Sequence, residues 1–314
     1  MSIIYNGELD KVLYRKVFAE TLEEIAAADA DMVYLDADLM SAVDTLGFWQ
    51  RNPRQTINCG IAEGNMLGVA GGLSAMGKKP YLHTFGAFAS RRVFDQAFLS
   101  VAYAGLSARI FGSDPGICAA FNGGTHMALE DIAMFRAVPK ATIIEISCGA
   151  MLKNLMWQLK DADGLSYIRF TRKAYPKIYS DDHAFKIGKG EIVRPGDDGA
   201  VIACGLMVGE ALAAAEILAK KGVNIMVIDM FTIKPLDLEL VAKAATTGHV
   251  VVAENHSTAG GLGDAVASAL LEGGYAPKFT KIGINESFGV VGPQDYLQNF
   301  FGLNAENIAS KFSK

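Results

Sequence analysis

The chain has 314 residues, roughly twice the size of an ordinary domain, so two compact units are expected. Hydrophobic residues make up 51% and charged residues 20%, the balance of a globular enzyme with ample core. A formal net charge of −5, with no run of Lys or Arg longer than two, argues against nucleic acid or an anionic membrane surface as partner.

Cys59, Cys118, Cys148 and Cys204 form no CxxC pair and have no His-rich neighbourhood, so neither a disulfide framework nor a zinc site follows. No apolar stretch reaches membrane-spanning length, and a reducing cytoplasm is the expected compartment. Strand-like and helix-like segments alternate through the first half. Residues 8–27 repeat apolar side chains at helical spacing, with Val12, Val17, Phe18, Leu22 and Ile25 marked for burial. Residues 32–35 read as a short buried strand before the polar turn Asp36-Ala37-Asp38, and residues 64–76 are helical in period despite their glycines. A strand over 80–84, a helix over 92–103, and strands over 108–111, 142–146 and 165–170 follow. Such alternation predicts a parallel sheet covered on both faces.

Residues 173–188 mix Lys, Pro, Asp, Tyr and His without period, the composition of a linker. Beyond it the pattern restarts, with strands over 200–204, 225–228 and 250–252 and helices over about 207–221, 236–245 and 262–272. The expected organisation is α/β with two domains: residues 1–172, the linker 173–188, and a smaller α/β unit over 189–314.

The densest local signal is Asn58-Cys59-Gly60-Ile61-Ala62-Glu63-Gly64-Asn65-Met66. It sets an acidic residue at the head of a glycine-rich helix, just past a strand. In open α/β sheets that edge, beyond the strands' carboxyl ends, is where ligands bind. A carboxyl group there can share a proton with a bound base. The plainer reading is that Glu63 only complements the positive end of its helix, worth roughly 0.3–1 kcal/mol, and spacing alone favours it.

The segment Gly60 to Met66, followed by Gly71-Gly72-Leu73-Ser74 and Gly77-Lys78-Lys79-Pro80, resembles the pyrimidine-binding domain of transketolases and their deoxyxylulose-phosphate synthase relatives. The resemblance implies thiamine diphosphate as cofactor, with Glu63 bonded to N1′ of its aminopyrimidine ring and serving acid–base catalysis through it. Thr84-Phe85-Gly86-Ala87-Phe88-Ala89-Ser90-Arg91-Arg92 resembles the stretch whose aromatic residues pack on that ring. It implies that Phe88 stacks, that Phe85 packs behind it, and that Arg92 matches a family arginine. Without the resemblance, two phenylalanines three apart read as core residues on one helical face.

Asn122-Gly123-Gly124-Thr125-His126 resembles the family's Asp-Gly-x-Thr-His, which implies that His126 holds substrate oxygens. Asn122 stands where sugar-phosphate transketolases usually carry Asp, and an amide donates as well as accepts, so recognition of the sugar donor is expected to differ. Arg172 matches an arginine that clamps the sugar phosphate, and Arg15 matches a second. A planar guanidinium suits two oxygens at once, whereas most arginines are solvated surface charges. Phosphate binding stays open, because no histidine lies near Ser113 and Asp114, where the family has a further phosphate ligand. Asp114 would repel a phosphate. Asp38 resembles a family aspartate near the cofactor and the subunit contact, or else caps its own loop.

The family holds the diphosphate and its metal with a Gly-Asp-Gly motif and an asparagine about thirty residues on. Gly196-Asp197-Asp198-Gly199 lies in the opening turn of the second domain and lacks that context. The resemblance therefore implies the C-terminal subunit of a split transketolase, moving a two-carbon ketol unit between sugars or sugar phosphates. Its partner is an N-terminal transketolase subunit carrying the diphosphate-binding domain and holding Mg2+, with a dimer of heterodimers as the expected assembly. Glu254 to Gly263 resembles the family's C-terminal signature, where His256 reads as a packing residue rather than a site residue. The rival readings are a β subunit of a 2-oxo-acid dehydrogenase, half of a deoxyxylulose-phosphate-synthase-like enzyme, and a non-catalytic regulatory subunit.

Overall fold

In the computed structural model, which describes residues 3–312, the chain builds two sheets. Seven strands form the first: β1 (Met32–Asp36), β2 (Thr56–Asn58), β3 (Lys79–Phe85), β4 (Ala108–Ser113), β5 (Thr142–Glu145), β6 (Leu165–Phe170) and β10 (Thr232–Lys234), in the order β10-β5-β6-β4-β3-β1-β2. All pairings are parallel except β10 against β5. β1, β4 and β6 are buried along their whole length, as a sheet covered on both faces requires. Alternate side chains serve alternate faces. Tyr34, Tyr81, Phe111 and Phe170 pack with Phe18 on one side, while Leu35, Leu82, Ile110 and Tyr167 pack with Leu67 on the other.

The expected helix over 8–27 begins later, at Tyr14–Ala28. Residues before it run extended instead, with Leu9 bridged to Pro176, so Val12 lies 40% exposed at a position marked for burial. A separate helical turn, Phe88–Arg91, precedes the expected helix over 92–103, which is divided into a short turn, Phe94–Gln96, and a wide π-turn over Ala97–Tyr103. That turn presses the Ser100 carbonyl onto the helix Glu63–Ala75 at Gly71, where a Cβ would lie 2.7 Å from the oxygen. Only glycine permits the approach.

The second sheet has five strands, β7 (Glu191–Arg194), β8 (Ala200–Ala203), β9 (Met226–Asp229), β11 (His249–Ser257) and β12 (Lys278–Ile284), ordered β12-β11-β8-β9-β7. β7 runs antiparallel to β9 and the rest are parallel. The α/β fold class with two sheet-based units is thus as expected. Residues 173–188 form no extended strand or helix, yet they bury Tyr175, Ile178, Tyr179 and Phe185 against the core.

A buried ionic cluster welds the units together. Arg169 on β6 is fully buried and donates to Asp131 (2.8 Å), Glu145 (2.5 Å) and the carbonyl of Asn255 on β11 (3.0 Å). The Asn255 side chain accepts from Ile117 N–H and donates to the Pro115 carbonyl, both at 3.0 Å. Gly116 between them has φ +55, and a Cβ there would overlap the Asn255 amide.

Candidate active site

Parallel strands end together, so the loops that follow them share one edge. Asp38 comes two residues after β1, Glu63 follows β2 at the head of its helix, and Phe85 closes β3. Asp114 follows β4 and Arg172 follows β6. Residues remote in sequence are brought to one rim by sheet order alone.

Beneath the rim lies a polar network that sequence reasoning missed. His83 is fully buried and bonds Asp36 Oδ2 through Nδ1 (2.9 Å) and Ser113 Oγ through Nε2 (3.0 Å). Tyr34 donates to the same Asp36 oxygen (2.6 Å), and the Leu39 backbone N–H donates to the other. These bonds tie the carboxyl ends of β1, β3 and β4 and fix the loop bearing Asp38. Buried polar groups need such partners, and satisfied networks stiffen what they join. The available signal was a histidine in the middle of a strand, between Leu82 and Thr84.

Glu63 is 4% exposed in the first turn of its helix, where the positive end favours an anion. Its Oε1 accepts from Arg92 Nη1 (2.9 Å), and its Oε2 has no hydrogen-bond partner among the described residues. Arg92 also lies over the Phe88 ring, 4.0 Å from its centroid. The Arg92 side chain is 47% exposed, so this ion pair is worth at most about 1 kcal/mol. Phe88 meets the His126 ring at 5.1 Å, and Phe85 meets it at 6.0 Å. Thr125 Oγ1 bonds His126 Nδ1 (2.9 Å), leaving Nε2 without a hydrogen-bond partner among the described residues. Arg172 stands over Phe85 at 5.0 Å and is ion-paired with Asp114.

Glu63, Arg92, Phe88, His126, Phe85 and Arg172 thus form one chain of contacts. The other three residues singled out from sequence stand apart from it. Asp38, exposed and in a left-handed turn (φ 65), accepts from Asn58. Arg15 pairs with Asp44 at 3.1 Å, although its backbone N–H reaches the Arg172 carbonyl (3.2 Å). Asn122 is exposed and makes no side-chain hydrogen bond among the described residues. His256 is fully buried, bonds the Ser257 carbonyl through Nδ1, and has its basicity pushed down to about 4, first by burial.

The arrangement fits a planar nitrogen base. The Arg92 guanidinium, flat and rich in N–H, stands in for one: it donates to the buried carboxylate and lies on the Phe88 face at the same time. An aminopyrimidine can stack on the same ring face and accept a proton from the carboxyl group through its ring nitrogen. Among the described residues, no group of three or more His, Cys, Asp or Glu is disposed to hold a metal ion, and no helix is long and apolar enough to cross a membrane.

Two family models match the chain, transketolase pyrimidine binding domain over residues 10–177 and transketolase C-terminal domain over residues 188–308. The 6-deoxy-6-sulfo-D-fructose transketolase subunit SqwH of Clostridium sp. (strain MSTE9) is 46% identical over 305 residues, covering 97% of this chain and 94% of that protein. Transketolase of Homo sapiens is 34% identical over 305 residues, covering 96% of this chain and 48% of the human one. A solved split-gene transketolase, described as an inactive beta4 tetramer, superposes with a TM-score of 0.87 at 34% identity, covering 96% of this chain and 97% of that one.

Proposed function

The chain belongs to the transketolase family, and we propose that it is the C-terminal subunit of a two-chain enzyme, active only with a partner that carries the diphosphate-binding domain. One observation carries the reading. A buried glutamate with an oxygen unpartnered among the described residues sits beside an aromatic platform. The match to nearly the whole of a subunit-length relative, but to only about half of human transketolase, supports the division. The transketolase matches favour this reading over the β subunit of a 2-oxo-acid dehydrogenase.

Thiamine diphosphate, when bound, supplies the carbanion-stabilising chemistry by which a ketose loses its two-carbon ketol unit to an aldose. This chain's residues bind and orient. Glu63 holds a proton between its carboxylate and N1′ of the pyrimidine, a role that needs a desolvated carboxyl group held in place. Phe88 and Phe85 would form the stacking wall, with Arg92 beside them between Glu63 and the Phe88 face. His126 donates to or accepts from substrate oxygens through Nε2. Asn122, Arg172 and Arg15 line the path of the sugar, with Arg172 toward its far end. Asp38 faces the cofactor and the partner. Mg2+ and the diphosphate belong to the partner subunit, and the assembly is a dimer of heterodimers in the cytoplasm. Family membership leaves the sugar open, since the Clostridium relative is named for a sulfo-sugar.

The test is co-purification with an N-terminal transketolase subunit from the same source, assayed for ketol transfer with thiamine diphosphate and Mg2+. Activity is expected only with both chains, and Glu63→Gln is expected to lower kcat by about 10²–10⁴-fold. A complex that keeps full activity with Glu63→Gln points to the regulatory reading instead. Failure to form any complex or bind cofactor overturns the proposal.

A further inference from the structure

Arg172 leaves β6 with its guanidinium against Phe85, at the far end of the contact chain from Glu63. Its direction is set by Asp114, which follows the neighbouring strand β4. Asp114 accepts the Arg172 backbone N–H on Oδ1 (2.9 Å) and the side-chain Nε–H on Oδ2 (2.5 Å). This grip leaves both Nη groups of Arg172 without a hydrogen-bond partner among the described residues. Asp114 is 4% exposed and held in a left-handed turn (φ 50), with the next residues locked by Asn255 across the unit boundary. The carboxylate is therefore a fixed part of the wall.

The charge balance there is unusual for a phosphate site. Among the described residues, Asp114 and Arg172 pair only with each other, and the nearby Arg15 is already paired with Asp44. Side by side, Asp114 and Arg172 cancel, so the pair itself brings almost no net charge to an arriving ligand. A phosphate monoester carries about −1.5 to −2 at neutral pH, and the second charge would meet Asp114 uncompensated. A sulfonate has three oxygens in the same tetrahedral form and carries a single charge throughout the neutral range. Two free Nη donors held in a plane suit two of those oxygens.

We propose that Asp114 is a specificity-determining residue that sets the Arg172 end of the site for sugars bearing a singly charged tetrahedral oxyanion, a sulfonate, in preference to a phosphate. The proposal rests on the transketolase reading. Asp114 acts by holding Arg172 in place and by repelling excess charge, with no part in bond making.

The experiment uses the complete two-chain complex with cofactor and two ketoses that differ only in a terminal phosphate or sulfonate. Wild type is expected to favour the sulfonate in kcat/KM by roughly tenfold or more, the effect of about one extra charge within ~6 Å of a carboxylate at an effective dielectric of ~20–40. Asp114→Asn keeps an acceptor for Arg172 and tolerates the left-handed turn. It is expected to move the phosphate-to-sulfonate ratio about tenfold toward phosphate, mainly through KM. The two corresponding sugar alcohols cannot react, and calorimetry on wild type is expected to rank their Kd values in the same order. A wild-type preference for phosphate, or equal loss on both ketoses in Asp114→Asn, overturns the proposal. Uncharged erythrulose separates the two claims. Turnover of erythrulose without discrimination between the anions sinks only the Asp114 proposal. No turnover of any ketose sinks the transketolase reading, and the calorimetric order then decides the proposal about the anion.

Discussion

Replacing Arg169 with Leu removes the single cation of the cluster that joins the two units. The guanidinium is wholly buried, and it satisfies one oxygen each of Asp131 and Glu145 as well as the Asn255 carbonyl. Both carboxylates are as buried as the arginine, and Glu145 Oε1 already has no partner. Burial pushes the Glu145 carboxyl up even with Arg169 beside it. Breaking one side of a buried ion pair costs about 3–5 kcal/mol, because the charge left behind is neither solvated nor paired. Two such charges and one orphaned carbonyl place Arg169→Leu at roughly 4 kcal/mol or more, out of a typical total of about 5–15. At ~1.5 °C per kcal/mol for a chain of 314 residues, Tm should fall by about 6 °C or more. Calorimetry and urea titration at pH 7.5 measure it. The deficit should shrink at pH 5, where Glu145, its carboxyl already pushed up by burial, takes up a proton instead of staying charged. A loss under 1 kcal/mol at pH 7.5 would refute the reasoning and mean that the cluster relaxes or hydrates freely.

Three further substitutions test other parts of the fold. Burial raises the Asp229 carboxyl to about 7, against hydrogen bonds from Ser147 and Tyr179 that lower it. A raised folded-state value means that its stabilising contribution is complete below the unfolded value near 4 and is lost as pH rises through about 7. Asp229→Asn should therefore be more stable than wild type by roughly 2 kcal/mol at pH 8 and near wild type at pH 4.5, read from urea midpoints. Gly116→Ala forces a side chain into a left-handed turn and onto the Asn255 amide, and should destabilise by about 3 kcal/mol. Gly72→Ala, mid-helix with open space around its Cβ position, should instead stabilise by about 0.5–1 kcal/mol. Urea titration of the pair separates the two cases.

Resemblance to the transketolase family made part of the site legible. By local chemistry alone, an acid at the head of a glycine-rich helix and two phenylalanines after a strand read as a helix-end charge and as core, and they gained a site role only from the family motifs around them. What was hidden depends on sheet order. Asp114 was recognised as hostile to phosphate, but its pairing with Arg172 exists because β4 and β6 are neighbours, with Ser113 opposite Phe170. No local pattern records that. His83 meets Asp36 and Ser113 for the same reason, across the register of three adjacent strands. The π-turn over Ala97–Tyr103 escaped notice because its apolar spacing is close to that of an α-helix, and only the contact at Gly71 shows why the backbone widens. β10 is three residues long and precedes Pro235, too short to carry a strand's alternation.

That short strand gives the two units a shared fate. β10 belongs by sequence to the second unit, yet it covers the β5 edge of the first sheet. A fragment ending near residue 188 would present β5 as a bare ribbon of unpaired amides and carbonyls, a template for aggregation rather than a free-standing domain. Fusions and affinity tags therefore belong at the chain's ends. A nascent chain cannot finish its first sheet until Thr232–Lys234 has left the ribosome, which makes translation of the second half a condition for completing the first.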